Sequence, residues 1–284
     1  MTDRPRSETT ARVSVFDGTN LIVRKDHLAT EEPLEIRIVL AHESRTVAVT
    51  MRTPGSDFEL ASGFLFSEGV VQRGEQIVRI TYCRDEDLPL EQLYNIVIVE
   101  LDPSLRPDLT PLQRHFQTSS ACGVCGKANL EAISLRGIEK MGDGPRVTPE
   151  VVAALPDRLR EAQRVFKSTG GLHAAALFTE EGELVATRED VGRHNAVDKL
   201  VGWALLNGRM PLDRYILMVS GRSSFEIAQK AAVARTPIVC SVSAPSSLAV
   251  DVANEFGMTL VGFLRDGRFN VYAGVERIAV PVEG

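Results

Sequence analysis

Hydrophobic and polar residues alternate along Glu35-Ile-Arg-Ile-Val-Leu40 and again along Thr46-Val-Ala-Val-Thr-Met51. That period of two predicts two antiparallel strands, joined by the polar turn His42-Glu-Ser-Arg45. The period lengthens over Ser56-Asp-Phe-Glu-Leu-Ala-Ser-Gly-Phe-Leu-Phe66, which predicts a short amphipathic helix with Ser56 as its N-cap. Tyr94-Asn-Ile-Val-Ile-Val99 is a further strand, and the first dozen residues carry no pattern and are expected to form a disordered lead. Pro103, Pro107 and Pro111 punctuate the stretch after that strand, which places a boundary near residue 112. Residues 1–112 therefore form a small α+β domain, and residues 113–148 a mobile loop and linker.

From residue 149 to 284 the pattern is α/β. A Thr148-Pro149-Glu150 start opens a helix running to Phe166, and Leu172–Phe178 with Glu183–Thr187 forms a hairpin across Glu180-Glu-Gly182. Helix and strand then alternate through Asn195–Leu206, Tyr215–Val219, Ser224–Arg235, Ile238–Val242, Ser247–Phe256 and Thr259–Leu264. Such alternation predicts a mixed or parallel sheet with helices on its faces.

Composition narrows the field. The 284 residues are 44% hydrophobic and 25% charged, ordinary for a globular protein. A net charge of −6 gives no general pull toward nucleic acid or an anionic membrane, so any phosphate must be held locally. No apolar stretch approaches a bilayer span, and Met1-Thr-Asp-Arg-Pro-Arg-Ser-Glu has no apolar signal region, so a cytoplasmic location without membrane insertion is expected. Four cysteines in this length are too few for a disulfide scaffold.

Two of those cysteines stand in Ala121-Cys122-Gly-Val-Cys125-Gly126, just before the helix predicted for Lys127–Arg136. The dipole of that helix and the Lys127 cation favour the thiolate, and Gly123 and Gly126 suit a loop that carries a thiol between partners. On spacing alone, thiol redox chemistry, metal binding and sulfur transfer all stay open. Cys83 and Cys240 stand singly, and Cys240 lies in an apolar strand where a free cysteine is core. His173 with the cysteine pair has the ligand types of a zinc deaminase. However, Ala175 occupies the position that needs a proton-shuttling Glu, so neither deamination nor a metal is expected.

Four polar loops follow strands in the second half: Arg188–Asn195, Ser220–Ser224, Ser243–Ser247 and Phe263–Arg268. If the strands are parallel, these loops gather outside the sheet's carboxyl end, where open α/β sheets bind ligands. Two of them lead into helices and offer free N–H groups and hydroxyls to an anion, with Arg222, Arg265 and Arg268 available to clamp a phosphate. Helix capping alone would also explain Ser220 and Ser223. His194, beside Asp190 and Asn195, is open as a ligand contact, a general base or a helix-start residue.

Taken in order, Cys-Gly-Val-Cys-Gly, Gly-Gly-Leu-His-Ala-Ala, Glu-Asp-Val-Gly-Arg-His-Asn-Ala-Val-Asp-Lys, Ser-Gly-Arg-Ser-Ser-Phe-Glu and Phe-Leu-Arg-Asp-Gly-Arg-Phe-Asn-Val-Tyr resemble the formate dehydrogenase accessory sulfurtransferase family. The resemblance implies a sulfurtransferase that takes persulfide sulfur from a cysteine desulfurase. The recipient it implies is the molybdenum bis(molybdopterin guanine dinucleotide) cofactor of formate dehydrogenase, with GDP as a mimic of the nucleotide part. It also implies a cytidine-deaminase-like second half and a homodimer. Cys122 would carry the persulfide and Cys125 assist. Phe263, Leu264, Arg265, Asp266, Gly267 and Arg268 would contact the cofactor, together with the strand-end residues Ser220, Arg222, Ser223, His194 and Asp190. A redox or zinc protein, and a cofactor chaperone without chemistry, are the alternatives.

Overall fold

The computed structural model describes residues 6–83, 93–109, 112 and 137–279. Cys122, Cys125 and the helix expected after them lie outside the described residues.

The described residues form a mixed α/β structure with three sheets. Strands β1 (Glu8–Phe16) and β2 (Leu21–Ala29) form an antiparallel ribbon. This corrects the expectation of a disordered lead: Val13 and Val15 alternate with polar neighbours, and Asp17 accepts N–H bonds from Thr19 and Asn20 at 2.9 and 2.7 Å to fix the turn. A four-stranded sheet comes next, in the order β4 (Glu43–Arg52), β3 (Glu32–Leu40), β6 (Ile96–Leu101), β5 (Ile77–Tyr82). The β3–β4 turn is tighter than the pattern predicts. Ala41 and His42 both adopt positive φ, at 49° and 71°, as the two central residues of a hairpin require, and Leu40 pairs with Glu43.

Helix α1 (Asp57–Ser67) begins where expected, but Ser56 has φ 55° and its side chain caps nothing. The start is held instead by buried Arg52, which donates to both carboxylate oxygens of Asp57 at 3.1 and 3.2 Å and to the Tyr94 carbonyl at 3.1 Å.

The six-stranded sheet has the order β12 (Arg268–Ala273), β11 (Thr259–Arg265), β10 (Ile238–Ser241), β9 (Ile216–Val219), β7 (His173–Phe178), β8 (Leu184–Asp190). Strands β9, β10 and β11 are parallel, whereas β7 is antiparallel to both β9 and β8. Hence β8, β9, β10 and β11 all point the same way, and the loops after them share one edge. The central strands are buried on both sides, which is why they read as continuous apolar runs. Ala174, Ala176, Ile216 and Met218 face α2 (Pro149–Ala162). Ala175, Leu177, Leu217 and Val239 face the side of α4 (Arg193–Leu206), α5 (Phe225–Val233) and α6 (Ser247–Glu255).

The helix expected over 149–166 is two. It breaks at Gln163, whose ψ of 90° is not helical, and resumes as α3 (Arg164–Thr169). Thr148 caps the first helix as expected, its Oγ1 accepting from the Val151 N–H at 3.4 Å. Strand β12 is an addition to the expected elements.

The α1 and α4 backbones cross closely because each carries a glycine at the crossing. A Cβ on Gly63 would lie 1.8 Å from the Asp198 carbonyl oxygen, and one on Gly202 would lie 1.8 Å from the Glu59 carbonyl oxygen. Residues of both halves join in one hydrophobic core there, with Leu60, Leu65, Val197, Leu200 and Val201 all buried. Polar pairs flank it: Arg188 holds Glu59 at 2.5 and 2.7 Å, and Lys230 holds Asp198 at 2.8 and 2.9 Å while Ser67 donates to the same carboxylate at 3.0 Å.

Candidate functional site

The segments that follow β9, β10 and β11 border a cleft of about 500 Å³ at the carboxyl edge of the sheet, on the α2 side, whereas no residue of the loop after β8 lines it. Its sheet side is formed by His173, Ser220, Val242 and Leu264, and the β11–β12 turn contributes Arg265 and Asp266. The helical side was not visible in the sequence as part of any site. Asp157, Arg160 and Gln163 come from one stripe of α2, and Phe166 and the Gly170–Leu172 stretch come from α3 and its exit. Three-residue spacing on a helix hinted that the first three share a face, but nothing in the pattern turned that face toward the loops.

Each residue expected to contact the cofactor has a definite place, whereas the expected thiols Cys122 and Cys125 lie outside the described residues. Arg265 and Asp266 are exposed at the cleft mouth, and Leu264 is buried in its wall. Asp266 and Gly267 have φ 53° and 71°, so the turn is a two-residue hairpin in which Arg265 pairs with Arg268. Phe263 sits at a bulge of β11 with φ 53° and is 39% exposed. A left-handed backbone at a bulky residue is strained, and that strain is common where a side chain is held out for use. Ser220 exchanges two bonds with Ala174, its Oγ and N–H each 2.9 Å from the Ala174 partner atom. Arg222 is exposed at the same edge, whereas Ser223 is fully buried and its hydroxyl has no partner.

Asp190 is 0% exposed, and its carboxylate is occupied within the protein. Lys199 Nζ is 2.7 Å from one oxygen, which also accepts the Thr53 N–H at 3.1 Å. The other oxygen accepts from the Gly192 N–H at 2.8 Å and the Asn195 amide at 3.0 Å. Glu189, one residue earlier, accepts the Val165 and Phe166 N–H groups at 3.0 and 2.8 Å and so caps α3 from across the sheet.

His194 lies on the opposite face of the sheet edge, 3.1 Å from Ser224 Oγ and 3.6 Å from a Glu226 oxygen. Burial first, and then the neighbouring Arg193 guanidinium, push its pKa down from 6.5 to about 4, so the ring is neutral at physiological pH. Burial lowers His173 as well, with Arg193 adding to the effect. Cys240 is buried in β10, and burial raises its thiol to about 12, which keeps it out of thiolate chemistry. Among the described residues, no three His, Cys, Asp or Glu side chains gather as metal ligands. None of the described helices is long and apolar enough to cross a membrane.

The model of the FdhD/NarQ family matches residues 29–279. The chain belongs to that family. Among curated FdhD/NarQ relatives, a sulfur carrier protein FdhD of Streptomyces coelicolor is 55% identical over 271 residues, covering 94% of both chains. The sulfur carrier protein FdhD of Mycobacterium tuberculosis is 49% identical over 271 residues, covering 94% of this chain and 97% of the relative. That of Sulfurisphaera tokodaii is 45% identical over 269 residues, covering 94% and 98%. A crystal structure of a candidate formate dehydrogenase accessory protein from Desulfotalea psychrophila superimposes with a TM-score of 0.73 at 25% identity, covering 96% of this chain and 99% of that one.

Proposed function

We propose that this FdhD/NarQ protein takes persulfide sulfur from a cysteine desulfurase onto Cys122 and passes it to a molybdenum bis(molybdopterin guanine dinucleotide) substrate destined for formate dehydrogenase. The observation that carries the cofactor half is the meeting of three strand ends, at Ser220, Val242 and Leu264–Asp266, on one cleft with Arg160 and Arg265 at its mouth. The cleft would hold a guanine nucleotide part of the substrate, for which GDP is the soluble mimic, and the arginines would pair with its phosphates. The name shared by relatives at 45–55% identity supports the sulfur half. A cytidine-deaminase-like ancestry of the second half, a homodimer and a cytoplasmic setting belong to the same reading.

The chemistry balances on the two loop thiols. Cys122 thiolate attacks the outer sulfur of the donor's persulfide, the donor leaves as a thiolate, and the sulfane sulfur changes hosts without net oxidation. Cys125 thiolate then attacks Cys122 Sγ, expels the outer sulfur as hydrosulfide toward the bound substrate, and closes a Cys122–Cys125 disulfide. The thiol pair supplies the two electrons, and a cellular dithiol reopens the bridge.

Intact-mass analysis after incubation with a desulfurase and cysteine tests the first step. Wild-type protein gains sulfur removable by a reductant, and Cys122→Ala does not. Equal loading of Cys122→Ala would move the carrier to another thiol and refute this assignment.

A further inference from the structure

Residues that begin a helix ordinarily spend a polar side chain on its first N–H groups. Gln163 begins α3 without doing so, because Glu189 already accepts from Val165 and Phe166 across the sheet. The Gln163 amide thus makes no cap bond, and among the described residues it has no protein partner, while the residue is 6% exposed and borders the cleft. An amide that lines a cleft without a protein partner is free to pair with a ligand there.

Its surroundings say what kind of ligand. Leu159, Phe166, Leu172, Val242 and Leu264 give the cleft apolar walls with one aromatic ring, while Asp157, Arg160, Arg265 and Asp266 are exposed at the mouth. A partly apolar interior carrying the Gln163 amide, with His173 and Ser220 beside it and two arginines among the rim charges, suits a flat heterocycle with an anionic tail. A carboxamide presents an acceptor beside a donor, the complement of a lactam edge in which a ring N–H stands beside a C=O.

We propose that Gln163 is the specificity-determining residue of the cleft and pairs with the lactam edge of the bound heterocycle, a feature shared by guanine and by a pterin head. The inference rests on the cleft being the nucleotide-binding site. Glu189 acts through Gln163 as a positioning residue, since it frees the amide and fixes the α3 wall.

Calorimetry on the full chain with GDP, 1-methylguanosine diphosphate, ADP and neopterin tests the assignment. N1-methylation removes the lactam donor, so wild-type protein should bind the methylated nucleotide about 5- to 100-fold more weakly than GDP, the range for losing one or two buried hydrogen bonds. Gln163→Met, close in volume, should lose a similar factor for GDP and become indifferent to the methyl group. The wild-type comparison needs no variant, so it decides the matter even if Gln163→Met folds poorly. Neopterin bound more tightly than GDP, and weakened by Gln163→Met, would assign the pterin head as the partner of Gln163. With its amide rotated, glutamine also complements adenine, so ADP bound as tightly as GDP contradicts the lactam assignment. GDP binding that ignores both N1-methylation and Gln163→Met overturns the role of Gln163 alone. Failure of wild-type protein to bind either GDP or neopterin overturns the cleft reading and this inference together.

Discussion

The α1–α4 seam and the cleft at the sheet edge draw on the same stretch, Glu189–Lys199, yet they treat polar groups in opposite ways. At the seam every carboxylate is matched: Asp190 with Lys199, Asp198 with Lys230, Glu59 with Arg188. Burial raises the Asp198 pKa, an effect that the Lys230 ammonium opposes, so that pair is held together by geometry rather than by solvation. At the edge, the Ser223 hydroxyl is buried without a partner, Gln163 makes no cap bond to the helix it begins, and Phe263 holds a strained backbone. The contrast separates residues that a motif presents side by side. Asp190, Asn195 and Lys199 lock the two halves together, while Glu189 shapes the cleft wall from behind.

The largest effect that this contrast predicts is at the seam. Lys199→Met should leave the Asp190 carboxylate buried without its cation and cost about 3–5 kcal/mol of unfolding free energy. Denaturant titration measures it. A loss below about 1 kcal/mol would mean that the three N–H donors to Asp190 suffice and that the pair is not the lock described here.

Next comes the cleft, where stability and binding should part company. Arg265→Ala removes an exposed side chain, so unfolding free energy should change by no more than about 0.5 kcal/mol. GDP affinity should fall by about 1.5–3 kcal/mol, the worth of a charged hydrogen bond. Calorimetry beside denaturant titration checks both. Unchanged affinity would take Arg265 out of phosphate recognition.

The smallest effect is on pH dependence. His194 has a folded pKa of about 4 against 6.5 for the free group, so the unfolded chain binds its proton first as pH falls. Its contribution to stability is whole above pH 6.5, declines through the window down to about 4, and is flat below that. His194→Asn should reduce the slope of unfolding free energy in that window and leave the neutral plateau little changed. An unaltered slope would show that the ring titrates freely in the folded protein.

Much of this architecture was legible in the sequence. Strands β7, β9, β10 and β11 stood out because burial on both faces leaves uninterrupted apolar runs such as Ala174–Phe178 and Ile238–Cys240. Their common direction turned four separate polar loops into one edge, as the alternation of helix and strand implied. Strands β1, β2, β5 and β12 were not expected, and the ribbon and β12 escaped for local reasons. The β1–β2 ribbon has mostly exposed side chains, so its alternation is faint, and β12 hid behind Asp266-Gly267, which is a hairpin turn signal rather than an end of structure. The break at Gln163 had no signal at all, since Glu189, which caps the next helix, lies 24 residues from Val165. Asp190 looked like a ligand contact because sequence shows a carboxylate among polar neighbours and not the Lys199 ammonium folded against it. The cysteine pair was the clearest chemical signal in the chain, and its role rests on sequence and kinship.

The most direct test tracks labelled sulfur through a complete cycle. A desulfurase charged with ³⁵S-cysteine loads the protein, which is then repurified and mixed with the molybdenum cofactor substrate and apo formate dehydrogenase under a dithiol reductant. Label should leave Cys122 and appear with the cofactor as formate dehydrogenase activity rises, and Cys122→Ala should yield neither transfer nor activity. Activation by Cys122→Ala to the wild-type level, with no label reaching the cofactor, would contradict sulfur carriage and leave only a protective role.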